Sequence, residues 1–130
     1  MDEAAFTAAF CDFIRACVPN FEAAAVLACM MRQPEQPWSA GEIVSTLKSS
    51  VSITSAETER CLELFDARGL LERDANRLAR LRPHGYLQDA HLRTLADAYR
   101  EKPVTLVQLI YALRDDKIRS FSDAFRLRED

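Results

Sequence analysis

Four arginines lie close together in the segment 70–82, where the only acidic residues are Glu72 and Asp74, so that the segment carries a net charge of +2. The four are Arg73, Arg77, Arg80 and Arg82. Guanidinium groups bind phosphate with salt-sensitive affinity and little sequence information. They also pair with nearby carboxylates, as charge clusters on small domains commonly do. The spacing therefore leaves phosphate binding and internal pairing open as alternatives.

The segment before the arginine cluster, residues 54–68, is acidic and has a net charge of −2. Its charged residues are Glu57, Glu59, Glu63 and Asp66 against Arg60 and Arg68. Arginine, lysine, asparagine and glutamine read purine edges, whereas glutamate can only accept hydrogen bonds and repels phosphate. If this region meets nucleic acid, we expect residues 70–82 to supply the phosphate affinity.

The local pattern predicts two short helices before the cluster. Ser39 and Glu42 have the spacing of a capping box and begin a helix that reaches about Lys48. After a turn at residues 49–53, Thr54 or Ser55 can cap a second helix. That helix is predicted to reach residue 68 and to stop at the glycine that follows it.

Residues 70–73 and 77–82 are short apolar and basic stretches around Asp74, Ala75 and Asn76. Because aspartate and asparagine tolerate turn geometry, a small β-hairpin is predicted here. Residues 38–83 thus give the order helix, turn, helix, hairpin.

Helices are predicted on both sides of this core, at residues 4–17, 21–32, 86–101, 104–113 and 117–127. The helix at 21–32 is almost continuously apolar, which predicts burial on most of its sides. The chain is long enough for one domain, with N-terminal helices within 4–33, the core at 38–83 and C-terminal helices within 86–127. Leu87, His91, Leu92, Leu95 and Tyr99 are predicted to share the inner side of the helix at 86–101.

The segment SAETERCLELFDARGLLERDANRLARLRP, residues 55–83, resembles the recognition helix and wing of bacterial winged-helix regulators of the MarR-like kind. With the preceding helix and turn, the likeness runs from Trp38 to Pro83 and covers about a third of the chain. It implies a mainly α fold: a winged helix-turn-helix with a small β-hairpin wing and additional N- and C-terminal helices. It also implies that Ser55, Glu57, Glu59, Arg60 and Glu63 face a DNA groove.

The expected function is that of a DNA-binding transcriptional regulator. Its candidate contacts to double-stranded DNA are Ser55, Arg60, Arg73, Arg77, Arg80 and Arg82. The alternative is a winged-helix module for protein–protein interaction or dimerisation without DNA binding. A homodimer suits either function, and the candidate interface residues are Phe6, Phe10, Phe13, Phe121 and Phe125. The alternative for these side chains is packing of the first helix on the last helix within one chain.

Other classes of protein are disfavoured. Serine, cysteine and histidine form no recognisable catalytic arrangement, and three glycines do not make a phosphate-cradling loop, so no enzyme and no cofactor are expected. The four cysteines lack CxxC spacing and are predicted to be buried free thiols without a metal. A net charge of −3 gives no overall attraction to anionic surfaces. No apolar run approaches the ~20 residues of a membrane span, which predicts a soluble cytoplasmic protein.

Overall fold

The computed structural model describes residues 6–83 and 85–114. They form a mainly helical fold with one two-stranded antiparallel sheet, which confirms the coarse prediction of helices and a hairpin. The elements are α1 (Ala8–Cys17), α2 (Phe21–Met31), α3 (Ala40–Leu47), α4 (Ser55–Ala67), β1 (Leu71–Arg73), β2 (Ala79–Leu81), α5 (Gly85–Glu101) and α6 (Pro103–Arg114). The helix predicted at 117–127 lies outside the described residues.

Side-chain caps fix where the first four helices begin. Ser39 and Glu42 form the predicted capping box of α3, and Thr54 forms a second one with Glu57 at the start of α4. The Asn20 side chain accepts from the backbone of α2 in the same way. At the start of α1 the prediction was wrong: the Thr7 hydroxyl caps the helix, so that Phe6 lies before it.

Gly69 ends α4, as predicted, and turns the chain directly into the hairpin. Its φ of 78° lies in the left-handed region, which glycine adopts at little cost. The amide of Leu70 donates to the carbonyl of Phe65 at 2.9 Å and closes the helix end. Strand β1 therefore begins within a few residues of α4 and stays packed against it.

The hairpin is short, and the backbone of a third segment pairs with its second strand. Leu71 pairs with Leu81 and Glu72 with Arg80, so these two pairs lie on opposite faces of the sheet. On the other edge of β2, Trp38 and Ala79 exchange two backbone hydrogen bonds of 2.7 and 2.8 Å. The segment between α2 and α3 is thereby fastened to the hairpin.

Helix α2 lies at the centre of the core, and its residues from Ala23 to Met30 are all buried. It packs against α3, α4, α5 and β2. Leu62 and Phe65 of α4 and Leu95 of α5 belong to the same buried cluster. Helix α6 packs on α1 and α5, with Leu106 and Ile110 buried.

Two phenylalanines predicted for a dimer interface are instead core residues. Phe10 and Phe13 are buried, and their rings lie 6.0 and 5.3 Å from the ring of His91 in α5. The interface prediction is wrong for this pair because the chain itself covers both rings. Phe6 is half-buried and stacks on Phe10, whereas Phe121 and Phe125 lie outside the described residues.

Leu87 is 59% exposed, so its predicted position on the inner side of α5 is wrong. It lies in the first turn of that helix, before α5 reaches the core at Leu92.

Leu62→Ala and Leu87→Ala remove the same atoms from a buried and an exposed site. Leu62 is fully buried, so its truncation should lower the free energy of unfolding by about 2–5 kcal/mol. Leu87→Ala should change it by less than ~0.5 kcal/mol. Urea unfolding followed by circular dichroism measures both, and equal losses would contradict this assignment of the core.

Candidate nucleic-acid interface

The outer side of α4 keeps its acidic character in the structure. Glu57 is already engaged at the start of the helix, where its carboxylate accepts from the backbone N–H of Thr54 at 2.8 Å. That hydrogen bond and one from the Thr54 hydroxyl lower the pKa of Glu57. Glu63 and Asp66 are exposed, and no ion pair joins either of them to another described residue. Ser55 and Arg60 are exposed on the same helix, as the predicted contacts require.

Glu59 is the one acidic residue of α4 that is committed to the hairpin. Its Oε1 atom accepts from Nη2 of Arg73 at 3.0 Å and from Nη2 of Arg77 at 3.1 Å. One carboxylate oxygen therefore binds two of the four clustered arginines. The internal pairing considered from the sequence is present for both of them.

The conformation of the hairpin loop brings these groups together. The Asp74 carboxylate accepts from the backbone N–H groups of Asn76 and Leu78 at 2.8 and 3.0 Å, which folds the loop tightly. Arg77 adopts a φ of 65°, which is uncommon for a residue with a side chain. Its carbonyl accepts from Nη2 of Arg73 at 2.8 Å, so Arg73 bridges Glu59 and the loop.

The ionisation of Glu59 reflects its two partners. Burial alone would raise the pKa of this carboxyl, but the hydrogen bonds and positive charges of Arg73 and Arg77 outweigh burial and lower it. The carboxylate is thus stabilised in its charged form, and the pair joins α4 to the hairpin.

The opposite face of the hairpin carries Glu72, Arg80 and Arg82. Glu72 and Arg80 are cross-strand neighbours, and Nε of Arg82 lies 3.7 Å from Oε1 of Glu72. Arg80 is exposed and forms no ion pair with another described residue. It lines a cleft of about 300 Å³ between the hairpin, the end of α2 and the start of α5.

The six predicted DNA contacts therefore fall into three groups. Ser55, Arg60 and Arg80 are exposed and without ion pairs in the described part of the chain. Arg77 and Arg82 are exposed but paired. Only 14% of the Arg73 side chain is exposed, so Arg73 fastens the hairpin to α4 and cannot meet phosphate unless its pair breaks.

Sequence reasoning placed Glu59 on the groove-facing side and missed its role as the partner of two arginines. Its position in the sequence could have predicted this role. Glu59 lies three residues, or about one helical turn, before the buried Leu62, so both side chains lie on the same side of α4. It therefore lies at the edge of the buried stripe, next to where β1 packs.

The cysteines and histidine in the described residues form no second site. Cys17 and Cys29 are buried as predicted, whereas Cys11 and Cys61 are partly exposed. Burial raises the pKa of all four thiols, for Cys61 to about 11. No group of three histidine, cysteine or acidic residues within 6–83 and 85–114 is placed to hold a metal ion.

No protein-family model, curated protein or solved structure matches the chain. Within the described residues no single helix is both long and apolar enough to span a membrane; α1 and α2 reach that length and composition only together, across a bend of 104°.

Glu59→Gln should weaken the fold at neutral pH more than at acid pH. Because the pKa of Glu59 is lowered from its ordinary value of 4.5, the ionised carboxylate stabilises the folded state at pH values above 4.5. This contribution is lost as the pH falls through the lowered pKa of the folded state. For a partly exposed pair the loss at pH 7 should be ~1 kcal/mol or less. Urea unfolding measures the free energy of unfolding of both proteins, and the difference between them should be smaller at about pH 3 than at pH 7.

Glu63→Gln is the matched control, since it makes the same change on the exposed side of α4. It should unfold like the wild-type protein at both pH values. If both variants lose equal stability at pH 7, the contribution assigned to the Glu59 pair is wrong.

Proposed function

We propose that this chain is a winged-helix protein that binds double-stranded DNA chiefly through phosphate contacts and acts in transcriptional regulation. The observation that supports the proposal is the backbone order across 38–83. Trp38 pairs with β2, α3 and α4 follow, and the hairpin then packs on α4. In helix-turn-helix proteins the second helix of the motif lies in the major groove, and here that helix is α4.

The distribution of charge supports phosphate contact more than base reading. Arg60 on α4 and Arg80 on β2 are exposed cations that form no salt bridge within the described chain, although the charge of Arg60 acts on the nearby Glu57 carboxylate. Phosphate contacts of this kind supply affinity with little sequence information. Glu63 and Asp66 on α4 repel the backbone and lack the donors that read purines. We therefore propose weak discrimination between DNA sequences by a single chain.

The homodimer expected from the sequence extends this proposal. Two copies related by a two-fold axis would present two α4 helices to two half-sites, which raises affinity without new contacts within each copy. Sedimentation of the intact chain at several concentrations measures whether the dimer forms.

Arg60→Ala combined with Arg80→Ala should weaken DNA binding and reduce its dependence on salt. The wild-type chain should bind random duplex DNA at ~50 mM salt and lose affinity steeply towards ~200 mM. Removing two phosphate contacts should flatten the slope of log affinity against log salt by about 2. Fluorescence anisotropy of a labelled duplex measures both quantities.

Arg15→Ala combined with Arg100→Ala is the control, because it removes the same charge from α1 and from the end of α5, outside residues 38–83. It should leave the slope close to that of the wild-type chain. Absence of binding by the wild-type chain at ~50 mM salt would refute the proposal, and an equal effect of the two double variants would refute the assigned contacts.

A second candidate function is a protein-interaction module without DNA binding. It is favoured by the exposed and internally unpaired Glu63 and Asp66, which suit a basic partner surface. In that case the chain should bind a lysine-rich peptide and Glu63→Gln should weaken the complex, while random duplex DNA should not bind at low salt.

A further inference from the structure

The Glu59 carboxylate occupies the same donors that a DNA phosphate would use. Guanidinium groups bind carboxylate and phosphate oxygens with the same charge-assisted geometry. Nη2 of Arg77 donates to Glu59 at 3.1 Å, although 67% of the Arg77 side chain is exposed at the loop of the hairpin. A phosphate that approaches Arg77 therefore meets a negative charge already bound to its guanidinium.

We propose that Glu59 is an internal competitor for phosphate and sets how strongly the hairpin binds DNA. The inference rests on the proposed function, and it makes Glu59 a residue that determines affinity without touching DNA. Its action is to neutralise Arg77 and to hold that side chain against α4.

Arg77, rather than Arg73, is the arginine that loss of Glu59 would release. Arg73 has two anchors, because Nη2 donates to the Arg77 carbonyl at 2.8 Å as well as to Glu59. Its side chain is also mostly covered. Arg77 has Glu59 as the only side-chain partner among the described residues, and two thirds of its side chain is exposed.

Glu59→Ala should increase both the affinity for random duplex DNA and its salt dependence. One released arginine that gains one phosphate contact should steepen the slope of log affinity against log salt by about 0.9. Glu63→Ala is the matched control: it removes one phosphate-repelling glutamate from the same helix but releases no arginine, so its slope should be less steep than that of Glu59→Ala. Anisotropy of a labelled duplex at several salt concentrations measures the slopes, after circular dichroism has shown that each variant is folded.

The double variant Glu59→Ala with Arg77→Ala identifies the group responsible. Its slope should return to the wild-type value if the gain comes from Arg77. Equal slopes for Glu59→Ala and Glu63→Ala would overturn the inference, as would a gain that persists in the double variant. Should Glu59→Ala fail to fold, Glu59→Gln removes the charge while retaining the shape of the side chain.

Inorganic polyphosphate separates this inference from the proposed function. The same titrations with a labelled polyphosphate chain report competition for phosphate without DNA. If no variant binds duplex DNA but Glu59→Ala binds polyphosphate with a steeper slope than Glu63→Ala, the competition between Glu59 and phosphate stands while the proposed DNA binding fails. If the two variants match on polyphosphate as well, the inference fails.

Discussion

Burial of α2 on almost all of its sides is the constraint on which the rest of the structure depends. Alanines along this helix let α3, α4, α5 and β2 approach it closely, and its larger residues fill the spaces between them. The hydrophobic contribution of such a helix is large because several elements lose their exposed apolar surface against it at once. The position of α4 relative to the hairpin, and hence of every candidate contact, follows from how both pack around α2.

On this scaffold, charge partners matter more than charge counts. The hairpin has a positive net charge and α4 has a negative net charge, but the ion pairs of Glu59 with Arg73 and Arg77 neutralise part of both. Arg73 becomes a structural residue, whereas Arg60 and Arg80 keep their charge for solvent or for a ligand. The same four arginines that form one cluster in the sequence therefore have different roles, because the two faces of a strand point in opposite directions.

This division bears on both candidate functions. A surface with a few unpaired arginines, beside a helix that keeps Glu63 and Asp66 exposed, favours phosphate contact of modest strength over tight base reading. Competition between a carboxylate of the fold and a phosphate of the ligand would make affinity adjustable through one side chain. In the protein-interaction alternative the exposed carboxylates would bind a basic partner, whereas in the DNA-binding proposal the exposed arginines would bind phosphate.

The sequence by itself determined the elements whose causes are local. The capping boxes at Ser39 and Thr54 and the stop at Gly69 depend on residues within one turn, so the helices of the core were predicted within one or two positions. Only the tertiary structure decided that Phe10 and Phe13 pack on His91, that Leu87 stays exposed and that Glu59 binds two arginines of the hairpin. The physical reason is distance along the chain. Helical periodicity tells which residues share a face, but what covers that face is decided by elements as far as 100 residues away, whose packing no local pattern contains.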